Sequence, residues 1–325
     1  MDNGFISVVM SVYNEKEEWL RTSIESILKQ TYREFEFIIV LDNPVNALAE
    51  RVLEEYKEKD KRIVVIKNNQ NMGLVYSLNR AIAVARGEYI ARMDADDYAR
   101  ENRLQLQHNC ICEKNVDFVI SNIDYFYEEE YVEGEKFPAF NNSQIKYLMK
   151  KGNISIHPTW FYKKKIHRCI YGYREMQYCE DVDYILRAIQ RGFTCYKMSE
   201  HLLIYRIRES GISRANALEQ YYNADFLRKK YASGKEIQDI KPRFLDIIDA
   251  SFSQKEKELY TQADKMMSQF VRRFANKEYV KCIINAMQGV LSNKYYRKLF
   301  ARNVNYRLSL LKALSWMKTE TRVEK

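Results

Sequence analysis

Between Phe5 and Met93 the chain alternates strand and helix signals so regularly that few folds remain open to it. Phe5–Val12 is an almost unbroken apolar run, the mark of a strand covered on both faces. Trp19, Leu20, Ile24, Ile27 and Leu28 then recur at helical spacing. Phe35–Leu41 is a second buried strand with Asp42-Asn43-Pro44 as its turn, and Val45, Leu48, Ala49, Val52, Leu53 and Tyr56 mark a second helix. Ile63–Ile66 gives a third strand, and Leu74, Leu78, Ile82 and Ala85 give a third helix that Gly87 stops. Tyr89–Met93 is the fourth strand. The alternation predicts an α/β fold with a mostly parallel central sheet, right-handed crossovers and helices flanking it.

The pattern then changes. A helix over Leu104–Cys112 precedes a strand over Phe118–Ser121, after which the chain to about Ile156 is looser and rich in aromatics and acids. A sharp helix returns at Asp181, with Ile185, Leu186 and Ile189 on one face; Gly192 stops it and a strand over Phe193–Met198 follows. Beyond about Ala215 the signals are helical only, and Gly234 is the expected hinge before the tail. At 325 residues the length allows one large domain or two ordinary ones.

The fourth strand ends in Asp94-Ala95-Asp96-Asp97. In an open α/β sheet the carboxyl end of a strand is where ligands bind. Three acids there repel one another unless a cation or a set of donors offsets them. Hard divalent ions take oxygen ligands, and Mg²⁺ usually combines one or two carboxylates with substrate phosphates. The cluster is therefore either a metal–diphosphate site or a solvated acidic turn whose Asp97 caps the next helix.

Seven segments occur in a telling order: Ile6–Asn14, Phe37–Asp42, Asn71-Met72-Gly73, Asn79–Ile82, Gly87–Ile90, Asp94–Asp97 and Glu180-Asp181. Together they resemble the family 2 glycosyltransferases, which carry the nucleotide-sugar-binding GT-A fold. The resemblance covers roughly Phe5 to Ser213. It implies a glycosyltransferase domain over 1–215, with a nucleotide half at about 1–97 and an acceptor half at about 98–215. A basic helical region over 216–325 follows. The departures are Ser11 where the family usually has Pro, Leu41-Asp42 where it often has two acids, and Asn43-Pro44 in place of Gly-Ser. These blur which groups grip the base. The Q-x-x-R-W motif of processive synthases is absent, which points to one sugar added per encounter.

The resemblance implies inverting transfer from a nucleoside diphosphate sugar to a hydroxyl. Asp96 would ligate Mn²⁺ or Mg²⁺, Asp94 would share the metal or contact the ribose, Ala95 would line the donor beside them, and Asp97 would support the loop. The metal would act as Lewis acid and template at the diphosphate. A general base must reach the acceptor hydroxyl from the face opposite the leaving group. Asp181 would take that role beside Glu180, although acids at a helix start also favour its free N–H groups. Asp183 reads as structural. Val12, Tyr13, Asn14 and Asp42 would contact the nucleobase, Asp42 accepting from a uracil N3–H, which favours UDP- or dTDP-sugars. Glu15 either joins them or caps the Trp19 helix. Gly73 would allow close backbone approach, beside Asn71 as ligand or turn residue; Arg80 would reach phosphate or lie on a solvated face. His157 would line the pocket or serve as a hydrogen-bonded structural residue, and Trp160 belongs to the core. Arg206 and Arg208, followed by Ser210–Ser213, resemble the segment that closes over the nucleotide, with a salt-bridged surface as the alternative.

Charge narrows the partners. From Phe270 to Lys325 there are 13 Lys/Arg and three acids, a net +10, against +9 for the whole chain. Within this tail Tyr279, Val280, Ile283, Ile284, Met287, Val290 and Leu291 form an apolar stripe, continued by Leu308, Leu311, Leu314 and Trp316. Such a stripe is expected to pack on the body or in a homo-oligomer, while the excess charge argues for docking on an anionic inner membrane leaflet near a lipid-linked saccharide acceptor. The six scattered cysteines read as reduced, and neither a leader pattern nor an apolar run long enough to span a bilayer is visible. The expected location is cytoplasmic, peripheral on the inner face of the cell membrane. A nucleic-acid-binding protein leaves the acidic groups without a role, and a nucleotidyltransferase lacks its Gly-rich triphosphate loop. A catalytically idle scaffold is the other alternative.

Overall fold

The computed structural model describes residues 4–127, 130–208, 216–242, 251–275 and 278–323. Strands β1 (Ile6–Val12), β2 (Phe35–Leu41), β3 (Ile63–Lys67) and β4 (Tyr89–Asp94) run parallel, with β1 between β2 and β4. Helices α1 (Glu17–Leu28), α2 (Ala47–Lys59) and α3 (Leu74–Val84) make the crossovers. Every residue of β2 is buried, which explains its apolar run. Its one acid, Glu36, accepts from Ser7 Oγ and from Arg86 N and Nε.

Beyond β4 the sheet becomes mixed. β8 (Phe161–Lys163) runs antiparallel to β4 and to β6 (Phe118–Tyr127), while β9 (Cys195–Ile207) runs parallel to β6. β5 (Tyr98–Ala99) pairs antiparallel with β9, and β7 (Glu130–Val132) with β6. The order is β3-β2-β1-β4-β8-β6-β9-β5. Two strands are longer than their apolar runs predict. β6 continues through Asn122 and Asp124, buried polar residues that the pattern hides. Asn122 Nδ2 donates to the carbonyls of Phe137 and Ser199, and Asp124 accepts from Gly134 N and pairs with Arg100. β9 continues through the polar Ser199-Glu200-His201, opposite an irregularity in β6.

Around this sheet lie α4 (Arg103–Glu113), α5 (Asn142–Leu148), a 3-10 turn at His157–Thr159, α6 (Lys165–Cys169) and α7 (Glu180–Gln190). The chain divides into two compact units. The first comprises Met1–Ile145, Ile154–Glu175 and Glu180–Arg208; the second comprises Lys146–Asn153, Met176–Cys179 and Glu209–Lys325. The second contains α8 (Ala217–Ala232), α9 (Gln254–Ala275), α10 (Tyr279–Ser292) and α11 (Lys294–Val323), around a core of Leu218, Tyr260, Ala263, Met267, Tyr295, Tyr296 and Leu299. Gly234, expected as a hinge, follows α8 with φ 77° and ends that helix inside the second unit. No described helix is long and apolar enough to cross a membrane.

Within the chain itself part of the tail stripe is left uncovered. Val280, Ile283, Ile284, Met287 and Leu291 on α10 are exposed, whereas Cys282, Asn285 and Gly289 are buried. The close face is the one with small residues, because only it admits the ring of Tyr296.

Candidate active site

The acidic corner forms where the chain leaves β4 and crosses to β5. Ser23 Oγ on α1 donates to the Asp94 carbonyl at 2.8 Å, fixing the turn. The carboxylates of Asp94, Asp96 and Asp97 offer oxygens that all lie within 4.8 Å of one another. Asp94 pairs with the buried Arg92, two residues back on the same strand. Asp97 is buried; its Oδ1 accepts from Arg206 N at 2.8 Å, but its Oδ2 has no partner among the described residues. Burial, then the charges of Asp96 and Asp94, hold its carboxyl well above the usual aspartate range. Burial and Asp94 likewise push Asp96 up to about 6, with Arg208 opposing.

β9 supplies the counter-charges. Arg206 Nε donates to the Asp96 carbonyl at 3.0 Å, and its guanidinium lies between the rings of Trp19 and Phe126 at 5.0 and 4.9 Å. Arg208, just past the strand end, pairs with Asp96 and approaches Glu15 at 3.5 Å. Arg206 and Arg208 therefore meet the acidic corner, while the adjoining Ser210–Ser213 lies outside the described residues. Clustered carboxylate oxygens, with Asp96 and Asp97 raised in proton affinity and Asp97 Oδ2 unpartnered among the described residues, suit a hard divalent cation.

The expected nucleobase residues gather at the carboxyl ends of β1 and β2. Asp42 is buried: Oδ1 accepts from Asn68 Nδ2 and Met72 N, and Oδ2 from Gly73 N, at 2.7, 2.8 and 2.9 Å. It thereby holds the Asn71–Gly73 loop, where Asn71 Oδ1 also accepts from Gly73 N. Gly73 has φ 84°, and an added Cβ would meet nothing, so backbone conformation and not crowding within the chain demands glycine. Asn14 Oδ1 accepts from Asn43 Nδ2, the Tyr13 carbonyl accepts from Asn46 Nδ2, and Tyr13 N donates to Glu15 Oε2. Val12 is buried at the end of β1, and Tyr13 is exposed. Arg80 donates to the Lys67 carbonyl and to Asn68 Oδ1, bracing the end of β3.

The second acidic group opens α7. Asp181 Oδ1 accepts from Val182 N at 2.7 Å. Burial and the neighbouring Asp181 push Glu180 up to about 7, with Arg92 pulling down and Glu175 adding to the rise. Arg92 also pairs with Asp94 and acts on Asp97, so one buried cation couples the α7 start to the acidic corner. Asp183 differs: it is fully buried and held by Arg174 and Arg187. His157 is buried; its Nε2 bonds with Tyr173 OH at 2.8 Å, and burial, then Arg92, push its pKa well below the usual value. Trp160 is fully buried, its Nε1 donating to Ser155 Oγ.

Two site arginines escape a reading by motif. Arg92 and Arg103 are both buried, and Arg103 NH2 donates to the Arg92 carbonyl at 2.7 Å. Burial lowers Arg103 to about 9. The available signal was a charged residue, Arg92, at the centre of an otherwise buried strand.

Residues 7–171 match the family model described as glycosyl transferase family 2. The chain belongs to this family. A relative in Methanocaldococcus jannaschii, the uncharacterised glycosyltransferase MJ1057, is 38% identical over 68% of this chain and 78% of its own length. WfgD of Escherichia coli, named as a UDP-Glc:alpha-D-GlcNAc-diphosphoundecaprenol beta-1,3-glucosyltransferase, is 29% identical over 66% of this chain and 81% of its own length. Among solved structures, S. aureus TarS 1–349 in complex with UDP superposes with a TM-score of 0.57 at 18% identity, covering 86% of this chain and 88% of TarS 1–349. That likeness concerns the fold. The chain is thus a family 2 glycosyltransferase with the mixed α/β GT-A architecture.

Proposed function

We propose that this family 2 glycosyltransferase moves one sugar from a UDP-sugar to a hydroxyl of a lipid-linked saccharide, with inversion and with help from Mn²⁺ or Mg²⁺. The observation that carries the reading is the shared Arg92, which lies in the field of both the Asp94–Asp97 corner and Glu180. Donor diphosphate and acceptor hydroxyl call for two acidic groups, and the charge of Arg92 acts on both of these.

Asp96 and Asp94 would hold the divalent ion, which when bound neutralises the leaving diphosphate. Arg206 and Arg208 add positive charge toward the same oxygens. Asp42 retains one lone pair on Oδ2 for a uracil N3–H, while Tyr13 and Asn14 border the base. Asp181 takes the acceptor proton as general base. Glu180 beside it has its own proton affinity raised to about 7, by burial and then by the Asp181 charge. The printed activity of WfgD, with its UDP-Glc donor and diphosphoundecaprenol-linked acceptor, supports the donor and acceptor classes. A lipid-linked acceptor implies work at the cytoplasmic face of the membrane.

The test is a donor screen for metal-dependent UDP release upon transfer. Asp96→Ala should lower transfer roughly 10³-fold by removing a preorganised charge contact. Asp181→Asn should lose transfer yet bind UDP as the parent does. Full turnover in Asp181→Asn, with loss in Glu180→Gln, would move the base to Glu180.

A further inference from the structure

Helix α10 is built inside out. Its buried face carries Cys282, Asn285 and Gly289, while Val280, Ile283, Ile284, Met287 and Leu291 are 72, 60, 50, 60 and 79% exposed. The spacing i, i+3, i+4, i+7, i+11 puts these five on one stripe. Contacts on the other side lock the rotation. A Cβ on Gly289 would come within 2.5 Å of the Tyr296 ring, so glycine lets α10 lie this close to α11. Asn285 Oδ1 accepts from Tyr296 OH at 3.2 Å, and Cys282 Sγ donates to the Phe270 carbonyl. The helix cannot roll its large side chains inward without losing these bonds.

A continuous apolar stripe held in solvent marks an interaction surface. Charge decides its occupant. The segment from Phe270 to Lys325 has a net charge of +10. Lys281 is exposed within α10, where it pairs with Glu278, and the exposed Arg297 donates to the Val290 carbonyl near the end of α10. A second copy of the chain would bring two such segments together against their mutual repulsion. An anionic lipid surface attracts them, at about fivefold per well-placed Lys or Arg. We propose that the outward face of α10 docks on an anionic bilayer, its apolar stripe in the boundary between headgroups and acyl chains. Lys281 and Arg297 beside the stripe then meet lipid phosphates. This surface lies outside the transfer chemistry and goes beyond it, so either idea can fail while the other stands.

The experiment is co-sedimentation of the full chain with vesicles of phosphatidylglycerol and phosphatidylcholine in equal parts, against vesicles of phosphatidylcholine alone. Binding should favour the anionic vesicles and weaken as salt rises. Ile283→Asn with Met287→Asn should reduce that binding by about tenfold or more, with donor hydrolysis and melting temperature unchanged. If the double variant melts early, Leu291→Asn alone, at the most exposed of the five positions, carries the test. Equal binding to both vesicle types would overturn the proposal, as would binding untouched by the substitutions. So would a parent dimer that the substitutions turn into a monomer while vesicle binding persists.

Discussion

Two clusters of buried acid in the first unit are wired in opposite ways. Asp183 is surrounded by guanidinium groups: Arg174 and Arg187 both pair with it, and Arg187 also donates to the carbonyls of Ile170 and Gly172. Asp97 and Asp96 have one another and Asp94 as neighbours, an unpartnered oxygen, and proton affinities pushed upward. An acid that holds the fold is saturated by donors. An acid left short of them, as Asp97 is with one oxygen unpartnered among the described residues, holds its proton more tightly.

The comparison can be broken most directly at Asp183. Asp183→Ala leaves Arg187 buried without its carboxylate and should destabilise the protein by about 3–5 kcal/mol in urea unfolding. Wild-type stability there would erase the distinction. Asp181→Asn, two residues earlier on α7, should instead leave the unfolding midpoint nearly unchanged while transfer falls roughly 10²–10⁴-fold. Asp97→Asn sharpens the other side. A carboxyl whose folded proton affinity is raised keeps a proton that the unfolded chain has already shed. Its contribution is therefore present at low pH and lost as pH rises through the folded value. The variant should lie closest to the parent below the ordinary aspartate value and gain on it as pH rises through the folded value. The smallest effect belongs to Glu180→Gln. Glu180 rises from the ordinary 4.5 to about 7, so the parent should lose stability across that window as pH increases. The glutamine should flatten the loss by on the order of 1 kcal/mol, given the partial exposure of the site. Melting temperatures taken at several pH values would reveal it.

The first four strands were legible because parallel strands buried on both faces must be apolar throughout, and β2 was read to the residue. β8 and β5 were not, being three and two residues long. The second half of β6 was hidden because Asn122 and Asp124 satisfy themselves by bonds to distant segments that no local pattern records. The acidic corner and the α7 start were visible as residue types in order. Their coupling was not, since Arg92 is an ordinary strand position until the fold buries it beside Asp94. Arg80 shows the same limit: its partners, Lys67 and Asn68, are fixed by the meeting of α3 with β3 and not by spacing.

Arg208 already rests on Asp96. A divalent ion arriving at that oxygen would therefore be exchanged for a guanidinium and not added to a bare anion. The displaced side chain would be released at the moment a pyrophosphate needs a second cation. One arginine can thus serve as the placeholder for the ion and as its companion.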